Sequence, residues 1–206
     1  MKRIGLLGGS FDPIHLGHLN LAFELMEKRE LDQVWFIPAQ INPLKKNQPP
    51  CPFDHRASMV QLAISEIPQF KLIASERERP PPSYMIDTLH ALIAKEICEP
   101  FRYQFHLLLG QDALTDFFRW KAPEEIVRLA PPFIGSRSTC RPLDESFHAF
   151  ICEGMTPIRL FDISATVVRE RLAQKLYCGH LVSRPVLEYI NRHQLYTRPL
   201  AAVPFI

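Results

Sequence analysis

Arg3-Ile4-Gly5-Leu6-Leu7-Gly8-Gly9-Ser10-Phe11-Asp12-Pro13-Ile14-His15-Leu16-Gly17-His18 opens the chain and decides how the rest folds. Arg3 to Leu7 is a short apolar run closed by two glycines, the pattern of a buried strand. From His15 to Lys28, Leu19, Ala22, Phe23 and Met26 recur at helical spacing, with Asp12 as the expected cap and Pro13 suited to the first turn. A strand, a Gly-Gly turn and a helix in succession form the first half of a βαβ unit. The same alternation continues along the chain. Strands are expected at 34–37, 70–74, 105–110, 133–135 and 158–161. Helices are expected at 53–67, 83–97, near 113–118, at 123–129, 165–174 and 184–193. Asp54 and Ser83 are the expected caps of the first two. Strands separated by helices imply a parallel sheet with crossovers. Residues 39–52 read as a Pro- and Lys-containing loop, and 137–157 as the least regular stretch.

Composition narrows the function. The 206 residues are 47% apolar and 22% charged, with 24 basic against 22 acidic side chains and a net charge of +2. A sizeable core is possible, and a nucleic-acid coat or a membrane surface has no electrostatic support. The 19 prolines fall in short bursts that punctuate loops. No apolar run approaches a membrane span, and the start turns to glycine too soon for a signal peptide, so a cytoplasmic protein is expected. Five cysteines in irregular spacing, with no C-x-x-C, argue against a disulfide framework. His148 with Cys152 and Cys178 with His180 fall short of the four converging ligands of a structural zinc site, so no protein metal site is expected.

In open α/β sheets, ligands bind beyond the carboxyl ends of the strands. Residues 8–18 lie at such an end. The glycines allow backbone to approach a bulky ligand, and a helix N-terminus offers free N–H groups to phosphate. His15 and His18 are three apart and share a face of the first turn, with Gly17 leaving room between them. Two imidazoles there can donate to phosphate oxygens and stabilise charge in a transition state. The segment is neither G-x-G-x-x-G nor a P-loop.

The segment matches G-G-x-F-D-P-x-H-x-G-H and resembles the HxGH nucleotidyltransferase superfamily. Further motifs make it most similar to the bacterial nicotinate-nucleotide adenylyltransferase family. Ser83-Tyr84 with Asp87-Thr88-Leu89 resembles that family's S-Y-T-x-x-T-L. Gly110-Gln111-Asp112 resembles its G-x-D, Phe117 with Trp120 its F-x-x-W, and Ile163 to Arg169 its I-S-[AS]-T-x-[IV]-R. The likeness spans nearly the whole chain. It implies an α/β fold, a Rossmann-like doubly wound parallel sheet with helices on both faces and a small helical C-terminal subdomain. A single nucleotidyltransferase domain over 1–206 is implied, its helical C-terminal part beginning near 163. The implied reaction joins ATP and nicotinate mononucleotide, giving nicotinate adenine dinucleotide and pyrophosphate in NAD biosynthesis, with Mg2+ accompanying ATP.

By this resemblance, His15 and His18 contact the ATP phosphates, and Arg169 joins them as a catalytic group. Ser164 and Thr166 hold the β- and γ-phosphates with it, while Ser164 also suits a helix cap. Gly8, Gly9, Ser10 and Phe11 supply backbone to both nucleotides. Gly110 and Asp112 face ribose hydroxyls or the metal, and Asp112 also suits an N-cap. Tyr84 contributes to substrate binding, Trp120 stacks on the pyridine ring, and Arg137 is a further phosphate ligand. Two positions depart from the family's pattern. Leu44 stands where a loop histidine is common, leaving phosphate contact to Lys45 or Lys46. Met85 replaces a threonine, leaving recognition of the ring carboxylate to backbone amides. Three other readings remain: transfer to another phosphate acceptor such as pantetheine phosphate or nicotinamide mononucleotide, a non-catalytic nucleotide-binding protein, and RNA binding. Intact His15, His18 and Arg169 argue against the second. The near-zero net charge argues against the third.

Overall fold

The computed structural model describes residues 1–44, 49–96, 103–137 and 148–197. Six strands, β1 (Lys2–Gly9), β2 (Gln33–Pro38), β3 (Phe70–Leu72), β4 (Tyr103–Gly110), β5 (Phe133–Ser136) and β6 (Met155–Pro157), form one parallel sheet in the order β3-β2-β1-β4-β5-β6. The eight helices among the described residues are α1 (Leu16–Lys28), α2 (Phe53–Ile64), α3 (Met85–Glu96), α4 (Gln111–Phe117), α5 (Pro123–Leu129), α6 (His148–Gly154), α7 (Ala165–Ala173) and α8 (Arg184–Arg192).

A parallel sheet is covered on both faces, so its central strands are apolar throughout. Alternation along β1 and β4 sorts their side chains into two cores. Ile4, Leu6, Leu107 and Leu109 pack with Leu89, Phe117 and Ile126 on the α3, α4 and α5 side. Leu7, Phe36 and Leu108 pack with Leu25, Met59, Val168 and Val186 on the α1, α2, α7 and α8 side. The chain winds from β1 outward through β2 to β3, crosses over through α3 to β4, and winds the other way to β6. Strand order therefore reverses between β1 and β4, and a crevice opens beyond their carboxyl ends.

Several local expectations need correction. The strand expected at 158–161 lies earlier, as β6, and Ile158 only donates its N–H to the Ser136 carbonyl as the chain leaves the sheet. Asp12 does not cap α1: His15 occupies that position, because Asp12 is drawn to partners across the fold. Ser83 does not cap α3, since its hydroxyl accepts the N–H of Gln40 and the helix starts at Met85. Asp54 lies inside the first turn of α2 and pairs with Arg77 at 3.2 Å. Helix α6 was hidden in the irregular stretch.

Candidate functional site

Gly8 and Gly9 end β1 beside Ile37 and Pro38 of β2, and Gly110 ends β4 beside Gly135 of β5. The crevice between them is floored by glycine. After Gly9 the backbone turns sharply: Phe11 takes a positive φ of 46°, a conformation that a bulky side chain rarely adopts outside a constrained site. Its ring is buried against Phe36 and edge-on to His18, 5.1 Å between centroids.

His15 and His18 stack with ring centroids 3.6 Å apart. The His15 backbone N–H donates to Nδ1 of His18 at 3.2 Å, so the proton of a neutral His18 ring sits on Nε2. His15 is almost fully buried and its Nδ1 has no hydrogen-bond partner. Burial pushes its pKa down to about 4, which keeps the ring neutral at pH 7. Gly17 leaves little spare room between them: a Cβ there would stand 3.1 Å from Nδ1 of His15.

Arg169 reaches the same turn from α7. Its Nη1 donates to the Asp12 carbonyl at 2.7 Å and lies 3.9 Å from the Asp12 carboxylate, while Nη2 donates to the Thr166 hydroxyl at 3.3 Å. Ser164 caps α7, its Oγ accepting the Val167 N–H at 3.2 Å. The turn before α1 and the N-terminus of α7 are thereby joined, bringing His15, His18, Thr166 and Arg169 to one edge of the crevice.

On the other side, a cavity of about 250 Å3 is lined by Gly8, Gly9, Tyr84, Met85 and Trp120. Trp120 leans on Phe117 with centroids 5.3 Å apart. Met85 comes so close to the floor that a Cβ on Gly8 would meet its Cε at 2.5 Å. Asp112 is exposed in the first turn of α4, whose cap is Gly110, so the N-cap role expected for Asp112 does not hold. Arg137 is exposed just after β5, 4.0 Å from Asp162. Lys45 lies outside the described residues.

Arg56 and Tyr196, for which the sequence suggested no role, hold the turn together with Asp12. Arg56 is buried in α2 and donates to four carbonyls, those of Ser10, Ala39, Gln40 and Cys51, at 2.7 to 3.0 Å. Its only signal was its spacing, three and four residues before Met59 and Val60 on the buried face. The Asp12 carboxylate accepts the Tyr196 hydroxyl at 2.7 Å and the Cys51 N–H at 3.3 Å. Burial and the neighbouring Asp12 push the Tyr196 phenol pKa up, so it remains a donor. No local pattern announced a contact spanning 184 residues.

Residues 6–171 match the cytidylyltransferase-like family model. The chain is 35% identical to a protein of Oceanobacillus iheyensis named "Probable nicotinate-nucleotide adenylyltransferase", over 95% of this chain and 97% of that one. It is 33% identical to the nicotinate-nucleotide adenylyltransferase of Bacillus subtilis, over 95% of this chain and 99% of that one. The fold is shared with Plasmodium falciparum nicotinic acid mononucleotide adenylyltransferase complexed with NaAD, at a TM-score of 0.71 and 22% identity, over 96% of this chain and 98% of that one. With a glycine-floored crevice, a stacked histidine pair and near-complete coverage of these relatives, the chain belongs to the nicotinate-nucleotide adenylyltransferase family, within the cytidylyltransferase-like nucleotidyltransferases.

Proposed function

We propose that this chain transfers the adenylyl group of ATP to nicotinate mononucleotide, yielding nicotinate adenine dinucleotide and pyrophosphate. The observation that carries the reading is the His15–His18 pair, stacked at the N-terminus of α1 beside the glycine floor and tied through Asp12 to Arg169. In this reaction a phosphate oxygen of the mononucleotide attacks the α-phosphorus of ATP. An O–P bond forms, the bond to the bridging oxygen breaks, and pyrophosphate leaves. The attacking oxygen is already anionic at neutral pH, so the protein supplies position and charge compensation rather than a base.

Each predicted residue then has a part. His18 Nε2–H donates to the phosphate on which charge develops. Neutral His15 packs beneath it and orients it. Arg169 and Thr166 meet the departing phosphates, with Ser164 ordering that helix start. Gly8, Gly9, Ser10 and Phe11 bring backbone to both nucleotides. Gly110 leaves room for the ribose, whose hydroxyls Asp112 accepts. Tyr84 and Trp120 flank the pyridine ring in the cavity. Arg137, and Lys45 from the loop outside the described residues, add positive charge for phosphate.

Magnesium enters with ATP as part of the substrate. Among the described residues no group of three or more metal-ligating side chains converges. The chemistry of the ion suits this, since magnesium keeps several waters and binds through substrate phosphates plus one or two carboxylates. Asp112 is the exposed carboxylate that would face it, and the bound ion would neutralise phosphate charge. No described helix is long and apolar enough to cross a membrane.

The test is pyrophosphate release from MgATP with nicotinate mononucleotide, nicotinamide mononucleotide or pantetheine phosphate, run in parallel. Release with nicotinate mononucleotide well above the other two is expected. His18→Ala should lower kcat by about two orders of magnitude, as loss of one preorganised donor does, with Tm unchanged. Release with pantetheine phosphate alone, or wild-type turnover by His18→Ala, overturns the reading.

A further inference from the structure

We propose that Tyr196 is a positioning residue for the phosphate end of the site: its hydroxyl holds the Asp12 carboxylate back from Arg169, which leaves that guanidinium donors for an anion. The proposal rests on the functional reading above and concerns how one of its groups is kept available.

The Asp12 carboxylate stands between two claims. Its Oδ1 accepts the Tyr196 hydroxyl at 2.7 Å and the Cys51 N–H at 3.3 Å. Its Oδ2 is 3.9 Å from Nη1 of Arg169, too long for a hydrogen bond. Both side chains of that pair are largely buried. A carboxylate and a guanidinium so placed ordinarily close into a bidentate contact. Here Nη1 donates to the Asp12 carbonyl at 2.7 Å instead, and Nη2 to the Thr166 hydroxyl at 3.3 Å. A guanidinium has more donors than these two bonds use, so part of its fork is left for a ligand.

The short bond from Tyr196 decides between the claims. Burial and the neighbouring Asp12 keep the phenol protonated, so it acts only as a donor toward that carboxylate. Tyr196 follows α8 with a positive φ of 60°, uncommon for a side chain of this size, and its ring packs on the core shared by α2 and α8. Arg56, whose charge Asp12 also feels, spends its guanidinium on four carbonyls and does not compete. Without the Tyr196 hydroxyl, Oδ1 keeps only the longer bond from Cys51. The carboxylate then turns to Arg169, a charge-assisted pair closes, and a donor that would meet phosphate is consumed.

The experiment is two-substrate kinetics with MgATP and nicotinate mononucleotide, for the wild type, Tyr196→Phe, and Tyr196→Phe combined with Asp12→Asn. Phe keeps the ring and removes only the hydroxyl, and a thermal melt shows whether each protein is folded. In Tyr196→Phe, KM for ATP should rise about tenfold, the worth of one charge-assisted hydrogen bond, while KM for the mononucleotide moves less than about twofold. Inhibition by pyrophosphate, which carries the same phosphates, should weaken in step with KM for ATP. The double variant should bring KM for ATP back to within about threefold of the wild type, because an asparagine amide has no charge with which to capture Arg169. The main-chain carbonyl that Arg169 binds is unaltered by that change. A hydroxyl that only supported the fold would leave the double variant worse than the single one, and that result overturns the proposal. An equal rise in KM for both substrates, an unchanged KM for ATP, or a Tyr196→Phe chain that does not fold overturns it too. A wild type that releases no pyrophosphate from this substrate pair overturns the functional reading itself, and this inference with it.

Discussion

At the scale of single residues, the candidate site holds a histidine, His15, whose state is set by its surroundings. His15 is neutral because burial penalises its charged form. The unfolded chain takes up a proton near the ordinary histidine pKa of 6.5, while the folded chain resists until about 4. Between these limits the unfolded state binds more protons, so stability falls as pH drops from about 6.5 to about 4. One group shifted this far accounts for up to roughly 3 kcal/mol. His106, also pushed down by burial, adds in the same direction. Urea midpoints at the two ends of this window should therefore differ in the wild type. His15→Asn should shrink the difference without abolishing it, because His106 remains.

At the scale of elements, helix starts are suited to anions, and their caps are also structural. Ser164 shows both sides: its hydroxyl accepts from Val167 and it stands one residue before the helix that carries Thr166 and Arg169. Ser164→Ala should cost about 1 kcal/mol through the lost cap. For a chain of this size that lowers Tm by about 2–4 °C. KM for ATP should rise as the start of α7 loosens, while KM for the mononucleotide stays put. A thermal melt with paired KM measurements checks both halves. Element identity was largely legible, because apolar periodicity separates strands from helices in all but the weakest stretches. Cap identity was less so. Asp12 and Ser83 are good caps by type, but each has a stronger partner elsewhere, and sequence spacing says nothing about partners brought by folding.

At the scale of the whole molecule, Arg56 and Asp12 join segments far apart in sequence. Arg56 gathers carbonyls from the loops after β1 and β2 and from the entry to α2. Removing it orphans four acceptors in a buried site. Arg56→Ala should therefore destabilise the fold by about 3–5 kcal/mol in urea titrations. Arg56→Lys should recover only part, since an ammonium lacks the planar fork. Asp12 performs the matching task for the C-terminal part, taking Tyr196 and Cys51 on its carboxylate and Arg169 on its carbonyl. Val168, Cys178, Val182, Val186 and Ile190 share one core with α1 and α2, so this part is packed against the sheet that carries the site.

Sequence by itself determined the class of fold and the centre of the candidate site. Both are local: a strand's apolar run, two glycines, and two histidines three apart lie within sixteen residues, and short-range periodicity encodes them. Resemblance to a known family's motifs also marked Gly110, Tyr84 and Trp120 and the Ser164–Arg169 helix start. Tertiary structure alone decided how these pieces meet. It set Arg169 on the Asp12 carbonyl, buried His15 deeply enough to keep it neutral, hung Lys121 between Asp87 and Tyr84, and recruited Tyr196 across 184 residues. The physical reason is range. Propensity and periodicity act over a few residues, whereas desolvation, ion pairing and carbonyl capture depend on what the closed sheet brings within 3 or 4 Å, roughly the reach of a hydrogen bond or ion pair.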